Sequence, residues 1–376
     1  MTPTERPTPA PTSSAPTSPA AVEQWETTAV LDTSPGTSYV TDIVTWSGGL
    51  IAIGSAWESE YHVTSEMPAM WISEDGRSWR PHPVELGVDD VTLVGIATRA
   101  DGRLLLVGRV PGSGAVPEAA EPASVAWVSQ NAIQWDAVVL PISDDAQVAS
   151  LAHGPKGYVL SAQTPHTEFD PNADLTPGEI WYSADGIAWS KTHEGAVGAV
   201  AGDEGFVAIQ SALAAGPSQV VASADGRTWY ASEVVGAPLF DVAALGGDWV
   251  AIAAGEDPGT IQVLRSENGL DWTSVLDVND LTGPDGPKTG RGLNEPAINS
   301  AFLAGGDDHA FLMLGNNHCC AQMGWTYGVW VTTDGATWTE AIPGDAFVSS
   351  VAAADGVMVL GGHVGRGDDA TFWIGK

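Results

Sequence analysis

The chain has 376 residues, 44 of them Gly and 16 Trp, and its 47 acidic residues against 14 basic ones give a formal net charge of −33. That balance excludes nucleic acid and anionic membrane surfaces as partners, since both are held by a basic footprint, and it suits solubility in a salty or extracellular setting. No apolar run approaches the roughly 18 residues that a membrane-spanning helix needs.

In chain order, residues 1–21 carry six prolines among Thr, Ser and Ala. This stretch lacks the apolar core of a signal peptide and cannot bury a core of its own. It reads as a disordered, semi-extended tether. Residues 22–376 read as one domain made of repeats, because self-similarity overrides the two or three domains that length alone suggests. Each repeat opens on a strand of small residues, at 42–45, 93–97, 148–152, 197–201, 240–244, 298–302 and 348–352. Ala, Gly and Ser are poor strand formers, so these strands make sense crowded around a central axis. A Gly-containing turn leads to a more apolar strand, at 50–53, 104–107, 158–160, 206–209, 249–252, 311–314 and 357–360. Continuous apolar runs suit strands covered on both faces.

After a loop of variable length come a third strand and a recurring kernel, Ser/Thr-x-Asp/Asn-Gly-x-x-Trp. Ser73, Asp75, Gly76 and Trp79 are the first copy, and those at Ser183–Trp189 and Ser223–Trp229 follow it closely. Ser129–Trp135, Ser266–Trp272 and Thr332–Trp338 are weaker copies, with Asn131-Ala132 and Asn268-Gly269 in place of Asp-Gly in two of them. Asp-Gly between extended runs predicts a type I′ hairpin, in which both residues take positive φ. A strand-rich repeat every 40 to 65 residues or so is the mark of a propeller with one blade per repeat. The last repeat ends at Thr371–Lys376, a third strand with no kernel after it, while Gln24–Val30 looks like an orphaned fourth strand. Joining the two predicts an all-β, seven-bladed β-propeller closed by its N-terminal strand, which leaves no open edge.

The kernel resembles the Asp-box (BNR) propellers, a group that includes sialidases, sortilin-type receptors and bacterial surface proteins. Its Ser, Asp, Gly and final Trp match, and six of seven blades carry a copy, but Asp and Gly are adjacent here where the usual box separates them by one residue. The resemblance implies the fold and no particular activity, because Asp boxes are structural turns far from the active face. A Pro/Thr/Ser-rich tether commonly follows the lipidated cysteine of a bacterial surface lipoprotein. An exported, monomeric, cell-surface protein is therefore expected, touching the membrane only through a lipid anchor.

Function is expected on the face that carries the variable loops. Fourteen of the sixteen Trp are explained by their register in the repeats; Trp57 and Trp325 fall in these loops and, with Tyr61 and Tyr327, are candidates for stacking on a ligand. A glycan and a protein ligand fit equally well. His62, His166, His318 and His363 are read in second-to-third-strand loops of four blades, with Glu168 and Asp170 flanking His166. Imidazole with carboxylate suits zinc or copper, yet no tight ligand spacing occurs, and solvated loop histidines are the plainer reading. Cys319 and Cys320 are adjacent, and their Cα atoms lie about 3.8 Å apart, below the usual disulfide range. They could stiffen the loop, touch a ligand beside Trp325, or bind metal as thiols with His318.

A sialidase would need three arginines on the substrate carboxylate, whereas the inner strands carry none, and only Arg109, Arg291 and Arg366 fall near the loop face. Arg291 and Arg366 remain candidate ligand contacts. A different glycoside hydrolase, using two loop-face carboxylates, is the alternative, and the acidic loops offer too many pairs to choose among. No cofactor is specified by any motif.

Overall fold

A computed structural model describes residues 25–30, 37–57, 67–88, 91–110, 123–143, 146–163, 178–211, 218–233, 238–255, 260–281, 288–289, 297–298, 300–306, 308–315, 326–343, 346–354, 357–364 and 370–375. Their strands form seven antiparallel blades. Blade 1 runs Thr37–Trp46, Gly49–Trp57, Met67–Ser73 and Ser78–Pro81, and blade 2 runs Thr92–Thr98, Leu104–Val110, Ala123–Ser129 and Asp136–Val138. Blades 3 and 4 open on Gln147–Gly154 and Ala196–Gly202, and blades 5, 6 and 7 on Leu239–Leu245, Ser300–Gly305 and Ala346–Ala354. Each of these first strands pairs only with its own second strand and lies innermost, around the axis.

The core is not one mass. Among the described residues it divides into seven apolar clusters, each shared by two neighbouring blades. Between blades 7 and 1, for instance, Val359, Phe372 and Ile374 pack against Ile43, Leu50, Trp71 and Trp79. The Trp79 ring stacks on Phe372 at 3.9 Å. Second strands such as 51–53 and 104–107 are wholly buried, as their unbroken apolar sequence requires when blades cover both faces.

Closure occurs where the orphaned strand points. Trp25–Thr27 adds to the last strand of blade 7, with Trp25 opposite Gly375 and Thr27 opposite Trp373. The short segment reaches further than its sequence reveals. The Trp25 ring packs edge-on against Phe311 of blade 6, and Ala29–Val30 pairs in parallel with Ser78 and Trp79 of blade 1. Six residues thus tie three blades together. No helix among the described residues is long and apolar enough to cross a membrane.

The kernel turns are built alike in six blades, but not as type I′ hairpins. Gly76 has φ +70°, and Gly186, Gly226, Gly269 and Gly335 lie between +70° and +73°, while the preceding Asp or Asn is not in the positive-φ region. The acidic side chain instead replaces a backbone turn. Asp75 Oδ1 accepts the amides of Arg77 (2.8 Å) and Ser78 (3.0 Å), and the Gly76 amide donates to Ser73 Oγ at 2.9 Å. Asn131 and Asn268 do the same through their amide oxygens. This explains why Asn substitutes freely for Asp: the turn needs an acceptor, not a charge. Glycine is needed for space as well as for φ. A Cβ on Gly226 would stand 2.5 Å from Tyr182 of blade 3, a ring that also carries Arg227 on its face at 4.6 Å.

Candidate functional site

The seven innermost strands enclose an axial channel. Each starts on the loop side and ends in the tight turn to its second strand, on the same side as the kernel turns. The channel therefore has two mouths of different chemistry.

The turn-side mouth is a cavity of about 820 Å³ lined by all seven blades. Much of its wall is backbone and small side chains, such as Ala201, Gly202, Ala244, Gly305 and Ala352. Its ionisable groups are Arg99, His153, Asp203, Asp308 and His309. Arg99 is buried, donates through Nε to the Asp185 carbonyl of blade 3 at 2.7 Å and faces Asp101 at 3.4 Å. It is a strut between a turn and the neighbouring kernel. His153 is open to the channel yet walled by protein and stacked on Tyr158 at 4.6 Å, and burial lowers its pKa. His309 is 4 % exposed with neither ring nitrogen hydrogen-bonded, and burial, opposed by the Asp308 carboxylate, lowers its pKa as well. Two neutral imidazoles on blades 3 and 6 do not make a nucleophile–base pair.

The loop-side part of the channel departs from the small-residue wall expected for innermost strands. Tyr39 of blade 1, Phe347 of blade 7, Phe302 of blade 6 and Phe240 of blade 5 all lie on first strands. Ring contacts run from Tyr39 to His363 (6.5 Å), from His363 to Phe347 (5.1 Å) and from Phe347 to Phe302 (5.5 Å). Phe302 is 39 % exposed and Phe240 51 %. Ring contacts thus link blades 1, 7 and 6 into an aromatic arc, and Phe240 of blade 5 extends it as a separate exposed ring, next in sequence to Asp241, which holds the Leu303 amide of blade 6. Blades 2, 3 and 4 carry Thr92, Gln147 and Ala196 at the register of Tyr39 and Phe347, and Gly95, Ser150 and Gly198 further along the wall. His363 is a correction: it lies in the strand Val357–Val364 and is buried, not in a solvated loop.

The end blades of the arc each carry an inward carboxylate at a strand bulge. Asp42 accepts the Ile96 amide of blade 2 (3.0 Å), the Ile43 amide (2.8 Å) and the Ser350 hydroxyl of blade 7 (2.9 Å). Asp241 accepts the Val242 amide (2.8 Å) and the Leu303 amide of blade 6 (2.9 Å). Both are partly open to the channel but encircled by protein. Desolvation pushes each pKa up to about 6, against the pull of those hydrogen bonds. Sequence inspection missed both the arc and these carboxylates. The available signal was aromatic residues at the head of strands otherwise made of Ala, Gly and Ser.

Of the residues singled out in the sequence, Trp57 ends the second strand of blade 1 opposite Thr37, and Tyr327 lies at the head of the third strand of blade 6. Both backbone positions are on the loop side. Tyr61, His62, His166, Glu168, Asp170, Arg291, His318, Cys319, Cys320, Trp325 and Arg366 lie outside the described residues. Arg109 is exposed on a second strand, away from the channel wall. Among the described residues, no group of three or more His, Cys, Asp or Glu is placed to hold a metal ion.

No family model matches the chain, and no curated protein matches it either. Solved structures do. An acylaminoacyl peptidase from Pyrococcus horikoshii aligns with a TM-score of 0.54 at 9% identity over 90% of this chain and 51% of its own. The β-propeller domain of the trilobed protease from Pyrococcus furiosus gives 0.53 at 10% over 90% and 95%. A catalytically inactive virginiamycin B lyase from Staphylococcus aureus, solved with quinupristin, gives 0.53 at 10% over 94% and 99%. The chain spans about half the length of the peptidase. At such identities the likeness shows the propeller and nothing of its chemistry.

Proposed function

We propose that this propeller is an exported, surface-tethered, monomeric binding protein that takes a glycan or protein ligand on its loop-side face. The observation that carries this reading is the aromatic arc: ring surface left open to solvent at the mouth of a rigid channel, on the side where Trp57 and Tyr327 also sit. Exposed aromatics on a fixed scaffold give contact area at low entropic cost. The same reading takes the kernel turns as Asp-box turns, supported by their shared acceptor geometry, and the Pro-rich residues 1–21 as the tether of a lipoprotein-like protein. A glycan array probed with wild type and with the double variant Trp57→Ala/Trp325→Ala tests it. Binding that the variant loses supports a sugar-recognising face; no signal above background from wild type removes the glycan and leaves the protein ligand.

A carbohydrate-active hydrolase is the second reading. Asp42 and Asp241, with pKa values near 6, would hold a proton at mildly acidic pH as a general acid must. Both are already engaged by backbone amides, which favours their service as links between blades. Glycoside turnover abolished by Asp241→Asn in a folded variant would establish the hydrolase.

A further inference from the structure

The loop-side wall combines two properties that select for charge. Aromatic faces carry negative electrostatic potential, which attracts cations more strongly than neutral groups. The wall also lies in a chain of net charge −33, with the carboxylates of Asp42 and Asp241 on the two end blades of the arc. No Lys or Arg occurs on any of the seven first strands among the described residues. A neutral sugar could stack on Phe302 and Phe240 but would gain nothing from this field.

We infer that the arc formed by Tyr39, Phe240, Phe302, Phe347 and His363 is a binding site for a small organic ammonium ion, with the aromatic faces as the cage and the acidic field as the source of selectivity. The inference rests on the proposed loop-side binding role and specifies its ligand class. The cation would enter by the loop-side mouth and lie against Phe302 and Phe240, the most exposed rings of the arc. Desolvating an ammonium ion is costly, and the nearby carboxylates offset that cost without needing direct contact. Quaternary nitrogen fits better than a primary amine, because it has no N–H to satisfy against the ring surfaces of Phe302 and Phe240, which offer no acceptor.

The experiment is a calorimetric titration of the full chain with choline and with its neutral tert-butyl isostere, in which carbon replaces the ammonium nitrogen. Choline is expected to bind at least about tenfold more tightly than the isostere, and more weakly as salt rises. Phe302→Ala and Phe240→Ala should each weaken choline several-fold while leaving the melting temperature unchanged, since neither ring is buried core. Equal affinity for the two probes, no choline binding, or choline binding indifferent to both variants overturns the inference. If those failures occur while wild type still binds a glycan or protein through Trp57 and Trp325, the loop-side reading survives without its cation. If that binding is absent too, both fall.

Discussion

The two mouths of the channel are made from the same seven strands yet follow opposite rules. At the turn side six of the seven blades repeat one local solution, and the cavity wall is mostly backbone and small side chains. At the loop side four blades present aromatic rings, while the other three carry Thr92, Gln147 and Ala196 at the register of Tyr39 and Phe347. On the proposed binding role, the difference separates what the ring needs from what it is used for. The two sets of aspartates show the same division. Those in the kernel turns are exposed and exchangeable with Asn, whereas Asp42 and Asp241 join neighbouring blades from within.

The comparison breaks altogether if the ring cannot close. Deleting residues 22–30 removes the Trp25–Thr27 strand, the Trp25–Phe311 contact and the parallel pairing with blade 1. We expect aggregation or a melting temperature lower by roughly 10 °C or more; a soluble truncation that melts like wild type refutes closure by this segment.

Next in size is a contrast between one residue from each mouth. Gly226→Val places a β-branched side chain at φ +70° against Tyr182 and should cost on the order of 3 kcal/mol in denaturant unfolding. Phe240→Ala on the loop side should change stability by less than about 0.5 kcal/mol. Comparable losses from the two variants would contradict the assignment of stability to one mouth and recognition to the other.

The aspartates predict a pH profile of two limbs. Asp42 and Asp241 have folded pKa values near 6 against an ordinary 3.8, so the folded state binds their protons more tightly. Their contribution is full below about pH 4 and is lost as pH rises through 6, roughly 3 kcal/mol for each. The turn carboxylates run the other way. Amide donation, led by Arg77 for Asp75, Ala188 for Asp185 and Thr228 for Asp225, lowers their pKa. Their stabilisation is present above the ordinary value and is lost on further acidification. Thermal melts should therefore give a higher melting temperature near pH 4.5 than at pH 7.5, then a fall below pH 4. Relief of net negative charge acts in the same direction as the first limb. The double variant Asp42→Asn/Asp241→Asn isolates the local part, and a profile it leaves unchanged contradicts the assignment.

The smallest effect is expected at a single turn. Asp75→Asn should be neutral within about 0.5 kcal/mol, because Asn131 and Asn268 already accept the same amides, whereas Asp75→Ala should cost about 1 to 2 kcal/mol for two unpaired amides.

The repeat made the ring legible before any coordinates. Ser73, Asp75, Gly76 and Trp79 recur because each kernel solves the same local hydrogen-bonding problem, and the missing strand after Ile374 could be matched to Trp25 by subtraction. The turn class was misread because the Asp-Gly dipeptide does not reveal whether Asp supplies φ or an acceptor. The aromatic arc was hidden for a different reason. Tyr39, Phe240, Phe302 and Phe347 sit on separate repeats up to 308 positions apart, as the Ser350–Asp42 bond between the same blades is, and only ring closure makes them neighbours. Asp42 and Asp241 look like ordinary acidic residues in a chain that has 47; their bonds to the next blade are tertiary facts. Of the residues chosen for function, Trp57 and Tyr327 stand at loop-side ends of repeating strands, and the others lie outside the described residues.

Thr28 donates to the Phe372 carbonyl across 344 positions of sequence. A chain emerging from a ribosome presents the first partner of that bond 344 residues before the second. Six blades can form in succession, but the seam must wait, and bringing its ends together from a free chain costs on the order of 5 kcal/mol of conformational entropy. Much of that cost is met as the intervening blades curl the chain into an arc. The seam is therefore the last join made during biogenesis and the first to fray, so limited proteolysis should cut near Thr28 before it opens any other blade.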